Sequence, residues 1–355
     1  GGVRHFPFFH KRASEIEVKV PGQRQNGKRL DGKFKTICYL CAIIDIERML
    51  NRRILRIKVF KTIYACAENP SMTLAQAQTH FDAQCQGTRD LYLFMLALVP
   101  ALTEQAKSRI LAAKSKFHPT EEEKNPNMKF AENFIAPKLE EDPDFTKLLN
   151  KKKLSWQEYD AFLWHLYDGI KEKDYFKEYM AEPLHTIEGD AELWIKIFEN
   201  ELVDNSELES ILEGMSIWWD NDLAYSLTCC CRTMEDFAAG RSWALPELFL
   251  SQMPGQEGKS SDQDFAYTLL RRAYTDYDKD VQRIAELTPK WDIKRVCVTD
   301  LALIVCGVAE AEAFPNQPSK VIMNEYVEIS KFFSTPESKA FVNGLLDKII
   351  NNISK

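Results

Sequence analysis

The chain has 355 residues, of which 45% are hydrophobic and 28% are charged, with 14 Gly, 15 Pro and nine Cys. This composition is that of an ordinary globular protein, and it excludes collagen-like, low-complexity and disulfide-scaffold classes. The net charge of −7 argues by itself against a nucleic-acid-binding protein, because such domains are generally basic. No apolar run reaches the roughly 18–20 residues that cross a bilayer, so no membrane association is predicted, and the apolar run Leu301–Ala309 has the length of a buried core helix.

The charge is unevenly distributed along the chain. Residues 1–61 carry fifteen Lys and Arg against five Asp and Glu, so the remainder has a net charge of −17. Residues 1–48 precede the first methionine, Met49, and are interpreted as a flexible basic extension, either native or an upstream extension of the reading frame. The apolar core and cleavage site of a signal peptide are missing from the start, which predicts a cytoplasmic protein.

The first predicted helix covers residues 49–69 and ends at Asn69-Pro70, because the residue before a proline disfavours helical geometry. It carries five positive charges and no acid before Glu68. Apolar residues recur at helical spacing between these cations, at Leu55, Val59 and Ile63. The start of this helix is therefore a candidate anion-binding edge.

Residues 70–261 form a long, acidic and aromatic run of helical patterns in which strand-like alternation is nearly absent. Five aromatic residues within it are predicted to form a core stripe: Trp156, Tyr159, Phe162, Trp164 and Tyr167. The fragment Gly258-Lys259-Ser260 is not the end of a phosphate-binding loop, because Met253 stands where that motif needs its first glycine.

Residues 262–355 carry four helical patterns, at about 262–287, 291–311 and 319–333, with a last helix that starts at Ser334-Thr335-Pro336. Gly344 lies inside the last pattern, where a glycine costs about 1 kcal/mol relative to alanine. We therefore expect a neighbouring backbone to approach closely at this position.

Residue patterns for catalysis, metal binding or a cofactor are missing. Cys38-x-x-Cys41 is half of a zinc pattern with no second half, and the six His show no ligand spacing. Since an enzyme needs converging acids, bases or nucleophiles, the sequence predicts a non-catalytic protein with reduced thiols and no metal or cofactor.

Several motifs, in one order and spacing, resemble the NusB family of bacterial transcription antitermination factors. The matching strings are Arg52-Arg53-x-x-Arg56 with Ile63-Tyr64, Trp291-x-x-x-Arg295, Asp300-x-x-Leu303-Ile304, Asn324-Glu325-x-Val327-Glu328-x-x-Lys331 and Phe341-Val342-Asn343-Gly344-x-Leu346-Asp347. The resemblance covers about a third of the chain, at 49–69 and 262–352. Two positions depart from the family pattern, since Val305 stands in place of an Arg and Ala309 in place of a Tyr.

The resemblance implies an all-α, NusB-like helical bundle in which about 190 residues, 70–261, are inserted after the first helix. It also implies RNA binding without catalysis. Members of the family pair with a small ribosomal protein, NusE, bind the single-stranded boxA element of nascent RNA, and act on the RNA polymerase elongation complex in ribosomal RNA operons.

Single-stranded RNA is held by cations along its backbone and by aromatic side chains that stack on bases. The cationic candidates are Arg52, Arg53, Arg56, Lys61 and Lys339, and the stacking candidates are Tyr64, Phe333 and Phe341. Ser338 and Lys339 lie at an exposed helix start, which favours phosphate. The resemblance implies that Phe341 faces RNA and that Glu337 lies near it, where its carboxylate can accept hydrogen bonds from base amino groups. The competing interpretations are core packing for the aromatic residues and a solvated helix start for the arginines.

Two alternative functions are weighed against RNA-dependent antitermination. The first is the NusB-like domain of a ribosomal RNA cytosine methyltransferase, which needs an α/β cofactor domain that the few residues after Gly344 cannot supply. The second is a helical protein–protein interaction scaffold that has the fold without RNA binding. The basic residues at 52–61 argue against the scaffold.

Overall fold

A computed structural model of the chain describes residues 49–249, 261–289 and 293–353. These residues are helical with no β-strand, which confirms the predicted all-α class. No helix in the described ranges is long and apolar enough to cross a membrane. The predicted basic extension at 1–48 and the loop at 254–260 lie outside the described residues.

The helices are numbered in chain order. Those before residue 250 are α1 (Arg52–Glu68), α2 (Leu74–Leu96), α3 (Leu98–Lys114), α4 (Glu121–Lys124), α5 (Ile135–Glu140), α6 (Pro143–Lys152), α7 (Asp160–Lys171), α8 (Asp174–Ala181), α9 (Ile187–Asn200), α10 (Ser206–Met215) and α11 (Leu223–Ala238). Those after residue 260 are α12 (Asp262–Thr275), α13 (Tyr277–Leu287), α14 (Val298–Ala313), α15 (Ser319–Phe333) and α16 (Ser338–Ile353), with short 3-10 helices at Ile217–Trp219 and Ile293–Arg295.

The described residues form two compact units. Unit 1 comprises 49–85, 247–249, 261–289 and 293–353, and unit 2 comprises 86–246. The sequence predicts an insertion that begins at residue 70, whereas the structure keeps the first half of α2 in unit 1. This half packs against unit 1 helices: the Gln84 amide nitrogen donates to the Thr62 hydroxyl at 2.9 Å, and the Phe81 ring lies 5.7 Å from that of Tyr267.

The core of unit 1 is built around α14. Every residue from Thr299 to Ala311 in this helix is buried, and α1, α12, α15 and α16 all pack against it. A helix that is apolar around most of its circumference has to be enclosed by other elements. The run Leu301–Ala309 therefore forms the central helix of a bundle, as its composition predicts.

Helix boundaries in the last part of the chain differ from the predicted ones at three places. The predicted helix at 262–287 is two helices in the structure, because Asp276 is the C-cap residue of α12 and the N-cap residue of α13. The next begins at Val298 rather than near 291, since Cys297 has extended backbone angles. The last begins at Ser338, because the Ser334 hydroxyl donates to the Asp300 carboxylate at 2.5 Å instead of capping a helix. The prediction of a helix at 319–333 is confirmed.

The close approach expected at Gly344 occurs at a different glycine. A Cβ atom built on Gly344 would meet no atom within 4 Å, so that expectation is wrong. A Cβ atom on Gly307, in the buried helix α14, would lie 2.7 Å from Leu346 Cδ2 and 3.2 Å from Tyr326 Cδ2. Gly307 therefore lets α15 and α16 pack closely on α14.

Unit 2 is an array of α-helices whose core is rich in aromatic rings. The predicted stripe is buried at Trp156, Phe162 and Tyr167, and the Trp156 ring stacks on Phe94 at 4.1 Å between centroids. The prediction is wrong for Trp164, which is 47% exposed. Two residues correspond to about 200° on a helix, so Trp164 points away from the side of α7 on which Phe162 is buried.

Candidate functional site

The three arginines at the start of α1 differ strongly in exposure. The exposed fraction of the side chain is 42% for Arg52, 12% for Arg53 and 5% for Arg56. Asn51 starts this helix by accepting a hydrogen bond from the Ile54 backbone amide at 3.0 Å. Each arginine also contacts a carboxylate from the C-terminal part of the chain, so the charges of this predicted edge are partly balanced within unit 1.

Arg56 makes a buried, two-pronged ion pair with Glu310 of α14. Its Nε and Nη2 atoms donate to the two Glu310 carboxylate oxygens at 2.8 and 2.6 Å, and the Tyr326 hydroxyl donates to the same carboxylate at 2.8 Å. Burial alone would lower the pKa of Arg56, but the bonds and charge of Glu310 outweigh it and raise that pKa. Arg56 therefore acts as a charged anchor between α1 and α14.

Arg53 and Glu325 join α1 to α15. The Arg53 Nε and Nη2 atoms donate to the two Glu325 carboxylate oxygens at 2.8 and 2.5 Å, and Arg56 Nη1 lies 3.5 Å from the same carboxylate. Burial would raise the pKa of Glu325, but the two arginines lower it on balance. Glu325 therefore bridges α1 and α15 through both arginines.

Arg52, in the first turn of α1, is the most exposed of the three, and its side chain contacts the first turn of α12. Its Nε atom donates to the Asp262 carboxylate at 3.1 Å, and its guanidinium carbon lies 4.9 Å from the Phe265 ring centroid. Asp262 is buried whereas Arg52 is not, so the guanidinium lies at the rim of the bundle. Arg52 is the arginine of this set best placed to reach a ligand.

Lys61 and Phe333 belong to the packing between α1 and α15. The Lys61 ammonium lies 5.7 Å from the Phe333 ring centroid, and the Phe60 and Phe333 ring centroids are 5.4 Å apart. Both Lys61 and Phe333 are buried. Tyr64, one turn further along α1, is half-buried, and burial with the nearby Glu68 and Cys297 raises its pKa. The ring of Phe333 is thus covered by its neighbours, while that of Tyr64 is partly accessible.

The start of α16 combines one buried hydroxyl with exposed charges. The Ser338 hydroxyl donates to the Asp300 carboxylate at 2.7 Å, which fixes the first turn of α16 against the first turn of α14. Glu337 and Lys339 on either side of it are exposed, and Phe341 is half-buried. Ser338 therefore positions this turn, and its neighbours are the groups that face outward.

The ten predicted residues thus separate into an enclosed set and an outer set. The enclosed set is Arg53, Arg56, Lys61, Phe333 and Ser338, and the outer set is Arg52, Tyr64, Glu337, Lys339 and Phe341. Lys61 and Phe333 bring α1 next to the end of α15, which leads into α16. The Arg52 end of α1 lies nine residues earlier, about 13 Å along the helix axis.

The sequence did not predict that the carboxylates of Asp262, Asp300 and Glu310 would bind side chains of the candidate site. One signal pointed to this region: Ala309 stands before Glu310, where the family pattern has a Tyr. In the structure the Tyr326 hydroxyl on α15 donates to the Glu310 carboxylate. Within the described ranges, no group of three or more His, Cys, Asp or Glu is placed to hold a metal ion.

Comparison with known proteins gives one family and a set of related chains. Residues 243–351 match the sequence model of the NusB family. The chain is 30% identical over 118 residues to the transcription antitermination protein NusB of Geobacter sulfurreducens, which covers 33% of this chain and 84% of that protein. It is 28% identical over 100 residues to the protein of the same name from Natranaerobius thermophilus, covering 28% of this chain and 72% of that protein. No solved structure matches the chain.

Proposed function

Because the chain belongs to the NusB family, we propose that it is a non-catalytic transcription antitermination factor that binds single-stranded, boxA-like RNA. In this proposal it binds the RNA in the cytoplasm together with the small ribosomal protein NusE. The assembly acts on the RNA polymerase elongation complex during ribosomal RNA transcription.

The observation that carries the RNA part of the proposal is the first turn of α16, inside the family match. Exposed Lys339 and half-buried Phe341 both lie in the first turn of α16, so a cation and an aromatic ring occur at one helix start, on sides of the helix about 200° apart. A helix N-terminus favours phosphate, and an aromatic ring can stack on any base. Glu337 next to them can accept hydrogen bonds from base amino groups.

Arg52 is the second contact point in this proposal. Its guanidinium is already oriented by Asp262 and Phe265, so less side-chain freedom is lost when it meets a phosphate or a base. Arg53 and Arg56 support this surface indirectly, because their ion pairs hold the first turns of α1 against α14 and α15. The proposal therefore assigns RNA contacts to the outer set and structural roles to the enclosed set.

Single substitutions in the outer set test this proposal by fluorescence polarisation with a labelled boxA-like RNA, with and without NusE. Lys339→Ala and Arg52→Ala should each weaken binding about threefold to tenfold. Each should also make the salt slope, which is the slope of log affinity against log salt concentration, shallower by nearly one. Phe341→Ala should weaken binding while leaving the salt slope unchanged, because stacking releases no counterions.

Two exposed cations of unit 1 provide matched controls. Lys348, further along α16, and Arg271, on α12, are both exposed, and their alanine variants should bind the RNA as the wild type does. If all five variants bind equally well, the RNA assignment of the outer set fails, and the helical interaction scaffold becomes the better interpretation of this chain.

A further inference from the structure

A second cluster of charges lies where α12 ends and α13 begins, on the side of α14. It consists of two guanidiniums and three carboxylates, from Arg272, Asp276, Asp280, Arg283 and Glu312, and is called the α13 cluster below. Asp280 is fully buried, although it lies in the first turn of its helix. The cluster is separate from the residues proposed to bind RNA.

Both guanidiniums of the α13 cluster bind Glu312. Arg272 pairs with Glu312 and, through Nη1, with the Asp276 carboxylate at 2.5 Å. Arg283 Nη1 lies 3.1 Å from the nearer Glu312 oxygen and 3.4 Å from Asp280 Oδ1. Glu312 therefore has two strong partners, whereas Asp280 has one long contact.

The second carboxylate oxygen of Asp280 is the unusual atom of the cluster. Among the described residues, Oδ2 of Asp280 is buried and has no hydrogen-bond partner. A buried ionised oxygen without a partner is costly, and Glu312 and Asp276 add negative charge beside it. A proton on this oxygen would remove the buried negative charge and its repulsion by the other two carboxylates.

We propose that Asp280 is a proton-binding site that fastens α13 to α12 and α14 when it is protonated and loosens this corner when it ionises. The ligand is a proton, held by one buried carboxyl group among two further carboxylates. The device makes the stability of this corner of unit 1 sensitive to mildly acidic pH.

The charged groups that face Asp280 come from three elements. Burial and the charges of Glu312 on α14 and Asp276 at the α12 end raise the pKa of Asp280 to about 6, against the opposing effects of Arg283 and Lys279 on its own helix. Arg272 on α12 also interacts with Asp280. Since the folded-state pKa is raised above the ordinary value of 3.8, the stabilisation is complete below about pH 4 and is lost as the pH rises through 6.

The test is urea denaturation of the full chain between pH 4.5 and 7.5 for the wild type and Asp280→Asn, which keeps the shape and removes the titration. Over this range the folding equilibrium of the wild type should fall by roughly tenfold to thirtyfold relative to that of the variant. Asp278→Asn is the matched control, because Asp278 is exposed in the same helical turn, and it should follow the wild type. Parallel profiles for the wild type and Asp280→Asn would overturn the proposal.

A direct titration keeps the proposal testable if Asp280→Asn does not fold. The side-chain carboxyl carbon of Asp280 can be followed by NMR in wild-type protein carrying 13C-labelled aspartate. A midpoint near pH 6 supports the proton site, and a midpoint below about 4.5, the ordinary range for aspartate, overturns it.

Discussion

Replacing Arg56 by alanine is expected to lower the free energy of unfolding by about 3–5 kcal/mol, because it leaves the Glu310 carboxylate buried without its main counter-charge. Tyr326 would remain as a donor to Glu310, but one phenol does not neutralise a buried charge. Urea denaturation followed by circular dichroism measures the change.

Arg52→Ala is the matched control for Arg56→Ala. Arg52 lies one turn earlier on the same helix and is 42% exposed. Its buried partner Asp262 lies in the first turn of α12, where backbone amides and the helix dipole stabilise a carboxylate, so losing this ion pair should cost only about 1 kcal/mol. The double variant Arg56→Met with Glu310→Leu should be less damaging than Arg56→Ala, since no unpaired charge remains. A loss below about 1 kcal/mol for Arg56→Ala would contradict the anchoring role of this ion pair.

Alanine substitutions at Gly307 and Gly344 are expected to change stability in opposite directions. Gly307→Ala should cost about 1–3 kcal/mol, because its Cβ would lie 2.7 Å from Leu346 Cδ2 and the fully buried Leu346 and Tyr326 side chains would have to shift. Gly344→Ala should stabilise the protein by about 0.5–1 kcal/mol, because its Cβ meets open space in a helix interior.

Thermal unfolding of the two variants beside the wild type measures both effects with the same chemical change. Each protein gains one methyl group inside a helix, so the difference between the variants reports packing rather than helix propensity. Equal shifts in melting temperature for Gly307→Ala and Gly344→Ala would show that α14 and α16 are not as closely packed as the structure has them.

The helical class and the central helix could be predicted from the sequence because both depend on local periodicity. The run Leu301–Ala309 is apolar on every side, and that property alone requires a buried helix. Trp164 and Gly344 show where local reasoning stops. Periodicity places Trp164 about 200° from Phe162, but it does not say how wide the covered side of α7 is, and a helical pattern does not say which glycine contacts another helix.

The arginine-rich start of α1 could be recognised from the sequence, but the different roles of its arginines could not. Their acidic partners lie far along the chain: 210 residues separate Arg52 from Asp262, 254 separate Arg56 from Glu310, and 272 separate Arg53 from Glu325. Only the packing of α12 and α14 on α1, together with side-chain contacts from α15, decides which guanidinium is enclosed. Composition therefore identified the cations, and the tertiary fold divided them into anchors and outward-facing groups.

The most direct test of the RNA assignment is the affinity of the wild-type chain with NusE for boxA-like RNA and for a scrambled RNA of equal length, measured across a salt series. We expect tighter binding to the boxA-like RNA. The logarithm of affinity should fall linearly with the logarithm of salt concentration, with a slope of about −1 to −1.5, as the two cations of the outer set, Arg52 and Lys339, give on single-stranded RNA. Equal affinity for both RNAs, or an affinity that salt does not change, would contradict RNA recognition through the outer set.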